Sequence, residues 1–97
     1  MYRGVIELTK EELDSLIKAF HWELNGSSVI ASKLQYAIDG ESDVKTISVS
    51  EEDLELILDD IMPVDPNNIV LQRVSEKIGE KLRKIRELKV KTTTEYI

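Results

Sequence analysis

Residues 5–20, VIELTKEELDSLIKAF, and residues 46–61, TISVSEEDLELILDDI, carry one pattern twice. A shift of 41 positions lays Ile6, Leu8, Thr9, Glu12, Leu13, Leu16, Ile17 and Phe20 on Ile47, Val49, Ser50, Asp53, Leu54, Ile57, Leu58 and Ile61, and each pair keeps its chemical type. In both copies an alternating apolar run, the period of a half-buried strand, leads to a hydroxyl residue with an acid three positions later. Apolar residues at spacings of three and four follow, the period of one helix face. Thr9 with Glu12 reads as a capping box, in which the hydroxyl accepts from a backbone N–H and the acid answers at the cap's own N–H. Ser50 with Asp53 repeats it with a shorter acid.

Working outward, helix one is expected from Lys10 to the Asn25-Gly26 bend, with Leu13, Leu16, Ile17, Phe20 and Leu24 on its core face. Ser27 or Ser28 caps a second helix to about Asp39, with Ile30, Leu34, Ala37 and Ile38 on one side and Gly40 as a left-handed stop. The second copy opens with a strand at Lys45–Val49 and a helix to about Ile61. Pro63 and Pro66 then prevent continuation, and Asn67 or Asn68 caps the last helix. That helix carries Leu71, Val74, Ile78, Leu82, Ile85 and Leu88 at spacings of three and four, enough for about 30 Å. From Val90 to Ile97, Thr92, Thr93, Thr94 and Tyr96 suit either a third strand or a frayed end.

The expected fold class is therefore α+β and mostly helical: a pseudosymmetric tandem β-α-α repeat with a short two-stranded antiparallel ribbon and four helices, the last one long. A chain of 97 residues has room for one shared core, so residues 1–97 read as a single domain. Repeat one covers about 5–40, repeat two about 45–91, and the tail 92–97.

Composition excludes several classes. There is no cysteine, hence no disulfide scaffold, thiol nucleophile or thiolate metal site. The start of the chain has no signal-peptide pattern and no apolar run nears about 20 residues, so a cytoplasmic protein without membrane contact is expected. Eleven Ile and nine Lys against three Ala point to an AT-rich bacterial or phage genome. The net charge of −6 is unevenly placed: residues 1–70 hold 15 acidic and 5 basic side chains, residues 71–97 hold 4 acidic and 8 basic. A basic last helix lying over an acidic body is the intramolecular reading of that split.

No constellation for catalysis assembles. His21 is the only histidine, sits at the margin of the helix-one stripe, and is expected to be partly buried and structural. Glu51, Glu52, Asp53, Glu55, Asp59 and Asp60 lie on a helix instead of alternating around a calcium-type loop, so they read as a solvated face with a cap at its start. The glycines are scattered and make no phosphate loop. No enzyme activity, cofactor or metal is expected.

Trp22 stands out because it falls about 180° from Leu13, among Glu11, Ser15 and Lys18 on the polar face, as interface anchors often do. Burial against helix two or the tail is the competing reading. Leu56 is the matching off-stripe apolar residue of the second copy, in the place of Ser15. The expected function is a small protein-interaction module, a regulator or inhibitor that occludes a basic protein partner. The residues assigned to that surface are Trp22, Lys18, Glu11, Leu56, Glu52, Glu55 and Asp59. The alternative is a homo-oligomeric assembly protein, a possible homodimer pairing through its long last helix. A third reading, less favoured, is nucleic-acid binding through Arg73, Lys77, Lys81 and Lys84, opposed by the interspersed acids and the absence of aromatic residues on that helix.

Overall fold

A computed structural model describes residues 3–95, with side chains from Gly4 to Leu88. The order of elements is β1 (Arg3–Thr9), α1 (Lys10–Ala19), α2 (Trp22–Asn25), α3 (Val29–Ile38), β2 (Val44–Ser50), α4 (Glu51–Ile61) and α5 (Ile69–Glu95). The two strands form one antiparallel ribbon in which Ile6 stands opposite Ile47 and Leu8 opposite Lys45. The described residues thus form a small α+β fold with a two-stranded sheet and five helices. Among them no helix is long and apolar enough to cross a membrane.

The alternation of the strands decides which face is covered. Ile6, Leu8, Ile47 and Val49 are buried against the helices, while Val5, Glu7, Thr46 and Ser48 are exposed. Leu13, Leu16, Leu34, Leu54, Val74 and Ile78 complete the core at 1% exposure or less. Each such side chain contributes about 1.5–3 kcal/mol. Packing of α5 against α1, α4 and β1 closes the layer. It crosses β1 at Gly4, where an added Cβ would stand 3.2 Å from Lys81 Cε and 3.5 Å from Ile85 Cδ1, so the absence of a side chain sets how close the helix lies.

Both capping boxes form. Glu12 N–H donates to the Thr9 hydroxyl and Thr9 N–H to Glu12 Oε1; Asp53 N–H donates to the Ser50 hydroxyl and Ser50 N–H to Asp53 Oδ2. Each acid also holds a lysine from elsewhere in the chain, Lys77 at 2.6 Å from Glu12 and Lys33 at 2.9 Å from Asp53. Burial works to raise both carboxyl pKa values, but hydrogen bonds from the lysine and the cap outweigh it, and both lie below the ordinary range. Ser28 caps α3, and Asn68 accepts from Leu71 N–H at the start of α5.

Several expectations need correction. Helix one is not continuous to Leu24: it stops at Ala19, Phe20 turns extended, and α2 begins at Trp22, which makes five helices where four were expected. Leu24 consequently leaves the core and is 79% exposed, and Ile38 is exposed as well. Gly40 is not left-handed; Asp39 stays right-handed helical, Gly40 N–H reaches back to Ala37 O, and Lys45 Nζ donates to Gly40 O. The strands are seven residues each, longer than the short ribbon expected, and β2 extends the expected Lys45–Val49 by one residue at each end.

At the far end, residues 90–95 continue α5 instead of forming a third strand. Once a helix is running, each added residue gains one backbone bond, and the modest helix penalty of threonine does not stop it. At 27 residues the helix is about 40 Å long. Tyr96 and Ile97, part of the expected tail, lie outside the described residues. The apolar stripe is used within the chain as far as Ile85, which is 2% exposed. Beyond it Leu88 is 56% exposed.

Candidate functional site: an acidic hollow between two helices

The break after α1 builds the site. Asp60, near the end of α4, has a side chain only 1% exposed. Its Oδ1 accepts from His21 N–H at 2.9 Å and lies 2.8 Å from His21 Nδ1, and its Oδ2 accepts from Asn25 Nδ2. By taking His21 N–H, Asp60 removes the donor that would have continued the helix to the Ile17 carbonyl. That carbonyl accepts instead from Trp22 Nε1 at 3.0 Å. Trp22 also meets Phe20 edge to face with ring centroids 4.7 Å apart, a pairing that contributes about 0.5–1.5 kcal/mol beyond area burial.

The expected placements shift accordingly. Trp22 is half-buried and turned onto the core, and the polar-face position assigned to it held only for an unbroken helix. His21 is structural but not buried, with a side chain 60% exposed. Asp53 and Asp60 are not part of a solvated face, since both are consumed inside the fold. His21 has its pKa raised, first by the hydrogen bond to Asp60 and then by that carboxylate's charge. Burial of Asp60 works to raise its pKa, but the hydrogen bonds from Asn25 and His21 win and lower it.

Where α2 and α4 face each other, His21, Leu24, Asn25, Glu52, Glu55, Leu56, Asp59 and Asp60 line a hollow of about 550 Å³. Four residues assigned from sequence, Glu52, Glu55, Leu56 and Asp59, therefore share one concave surface. Glu11 and Lys18 lie exposed on α1 and do not line it. Leu24 was missed because it had been placed in the core. Glu55 is engaged by Arg86, which also donates from Nε to Glu51 at 3.0 Å, while Glu52 and Asp59 carry exposed carboxylates. The chemistry on offer is two open anions beside two leucines, a fit for a cation next to an apolar side chain. Among the described residues no cluster of three or more histidines or acids could hold a metal ion.

The basic helix spends much of its charge internally. Lys77 binds Glu12, Arg86 binds Glu51 and Glu55, and Lys84 pairs with Glu80 at 3.3 Å. Lys81 and Lys84 line a shallow groove beside β1, and Arg73 is exposed. No family model, curated protein or solved structure matches this chain, so the site is read from its own chemistry.

Replacing Asp60 with Asn is expected to cost about 1.5–3 kcal/mol, because charge-assisted bonds at the helix break are lost. Urea denaturation followed by Trp22 fluorescence measures it, and unchanged stability would show that the break does not depend on Asp60.

Proposed function

We propose that the chain is a small cytoplasmic protein-interaction module that occludes a basic protein partner, acting by coverage and not by chemistry. The observation that carries this reading is the hollow itself, in which Glu52 and Asp59 stand open beside Leu24 and Leu56. A partner presenting Lys or Arg beside a leucine-sized side chain would satisfy both halves of it. The charge surplus of the body adds long-range attraction and speeds encounter at low salt.

We also infer that the fold comprises two β-α-α units about a pseudo-twofold axis. In support, the shift of 41 that relates the copies takes Ile6 to Ile47, and these residues stand opposite each other in the ribbon. The same shift pairs Gly4 with Lys45. The long α5 lies over Gly4, whereas the shorter α3 has ended at Ile38, and the buried Lys45 stem lies near its end.

The test uses a synthetic leucine/lysine amphipathic helical peptide of about four turns and isothermal titration. Joint Glu52→Lys and Asp59→Lys substitution should weaken binding at least about tenfold, while Glu41→Lys with Asp43→Lys, an equal charge change elsewhere, should leave most of it. Equal losses from both pairs would reduce the attraction to net charge and remove the hollow from the proposal. Protonated His21 places a positive charge among Glu23, Glu52, Glu55, Asp59 and Asp60. Affinity should therefore rise as pH increases through its raised pKa, and His21→Gln should flatten that rise.

A further inference from the structure

The two edges of the ribbon are protected unequally. Lys10 N–H donates to Asp43 O at 2.9 Å, which fixes the ladder phase: Gly4, Ile6 and Leu8 exchange bonds with Val49, Ile47 and Lys45, and the positions between them point their backbone groups outward. On β1 two of the outward groups are engaged, Thr9 N–H by Glu12 and Glu7 O by Lys77, and Val5 lies with Glu7 in a groove walled by Lys77, Lys81 and Lys84, which disfavours a basic segment. On β2, Ser42 Oγ takes Val44 N–H and donates to Val44 O, and Asp53 takes Ser50 N–H. What remains on the β2 edge is the N–H and C=O of Thr46 and of Ser48.

Those groups border a groove of about 580 Å³ between β2 and α3, whose walls include Tyr36, Ala37, Val44 and Ile47. Tyr36 is 85% exposed and Val44 is half-exposed. The loop at its mouth carries Asp39, Glu41 and Asp43, all exposed and without a charge partner among the described residues. Natural sheets usually blunt an open edge with an inward charge, a proline or a cover; this edge has an inward lysine, Lys45, in the groove wall, but its ammonium is already bonded to Gly40 O.

We propose that the outer edge of β2 accepts an extended segment of a partner protein as a third strand, one with alternating β-branched residues and Lys or Arg at its ends. The backbone of Thr46 and Ser48 supplies the ladder, Tyr36 and Ala37 receive the inward side chains, and Asp39, Glu41 and Asp43 select the basic terminus. A second copy of the chain fits less well. Pairing β2 with itself antiparallel would bring this acidic loop beside Glu51 and Glu52 of the other copy, at a net charge of −6 on each.

The test is amide hydrogen exchange by NMR on the full chain, with the capped peptide Lys-Val-Thr-Val-Thr-Val-Lys and a control ending in Glu. The lysine peptide should slow exchange at Thr46 and Ser48 at least about tenfold, and the glutamate peptide should not. Thr46→Pro, at a position outside the ladder, should abolish the effect. Glu41→Lys with Asp43→Lys, which leaves the backbone intact, should weaken it severalfold, and Glu52→Lys with Asp59→Lys should not. Protection that appears without peptide and grows with protein concentration would assign the edge to a second copy. That result, protection confined to other residues, or no protection at millimolar peptide would each overturn the proposal.

Discussion

Replacing Glu12 with Ala is expected to lower the unfolding free energy by about 3–4 kcal/mol, about 1 from the lost cap and the rest from breaking a buried ion pair. The carboxylate is 1% exposed, accepts from Thr9 N–H and Lys77 Nζ through Oε1, and joins the start of α1 to the first third of α5. Lys77 is 38% exposed, so the orphaned ammonium reaches water, which keeps the loss below the upper limit for such pairs. Glu12→Gln retains the shape and should cost about half as much.

The sign of the pH dependence follows from the lowered pKa. A carboxyl depressed in the folded state contributes stability above its unfolded value, about 4.3, and that contribution disappears as pH falls through the folded value. The difference between wild type and Glu12→Ala should therefore shrink from pH 7 to pH 3 in urea titrations. An undiminished difference in acid would place the effect in packing and not in the ion pair. Asp53, held low by Lys33 and Ser50 against its own burial, adds acid sensitivity of the same sign.

The second large effect is Leu54→Ala. Leu54 is fully buried and lies among Leu8, Leu16, Leu34, Val49 and Ile78, where truncation costs the transfer of the removed atoms plus the cavity left behind, about 3–4 kcal/mol. Two positions on, Leu56 is only partly buried and borders the hollow, so Leu56→Ala should cost about 1 kcal/mol or less and weaken peptide binding instead. Comparing urea midpoints and peptide affinities for the two variants separates the core from the surface. If Leu56→Ala destabilised as much as Leu54→Ala, the hollow would be packing and not a surface available to a partner.

Much of this fold is legible in local sequence because its signals are local. Thr9 with Glu12 and Ser50 with Asp53 mark helix starts within four residues, and the core stripe from Leu71 to Ile85 is visible as spacing alone. The break after Ala19 is not local. It is imposed by Asp60, which lies 39 residues beyond His21 in the chain, and nothing between Lys10 and Leu24 announces it. Leu24 and Trp22 were misplaced together for that reason: a helical wheel carried through a break assigns each later residue to the wrong face. The burial of Lys45 had a readable signal, since strand parity puts it on the face of Ile47 and Val49, yet a lysine there contradicts composition-based expectation. Within the site, Glu52, Glu55, Leu56 and Asp59 were recoverable because α4 is regular; Leu24 and His21 were not, because they come from the element after the break.

The most direct test of the interaction surface is chemical-shift mapping of the isotopically labelled chain as the leucine/lysine helical peptide is added. Shifts concentrated at His21, Leu24, Glu52, Leu56 and Asp59 are the predicted result, with the β2 edge at Thr46 and Ser48 unmoved. Shifts spread evenly over the acidic surface, or centred on residues away from α2 and α4, would contradict a specific site in the hollow.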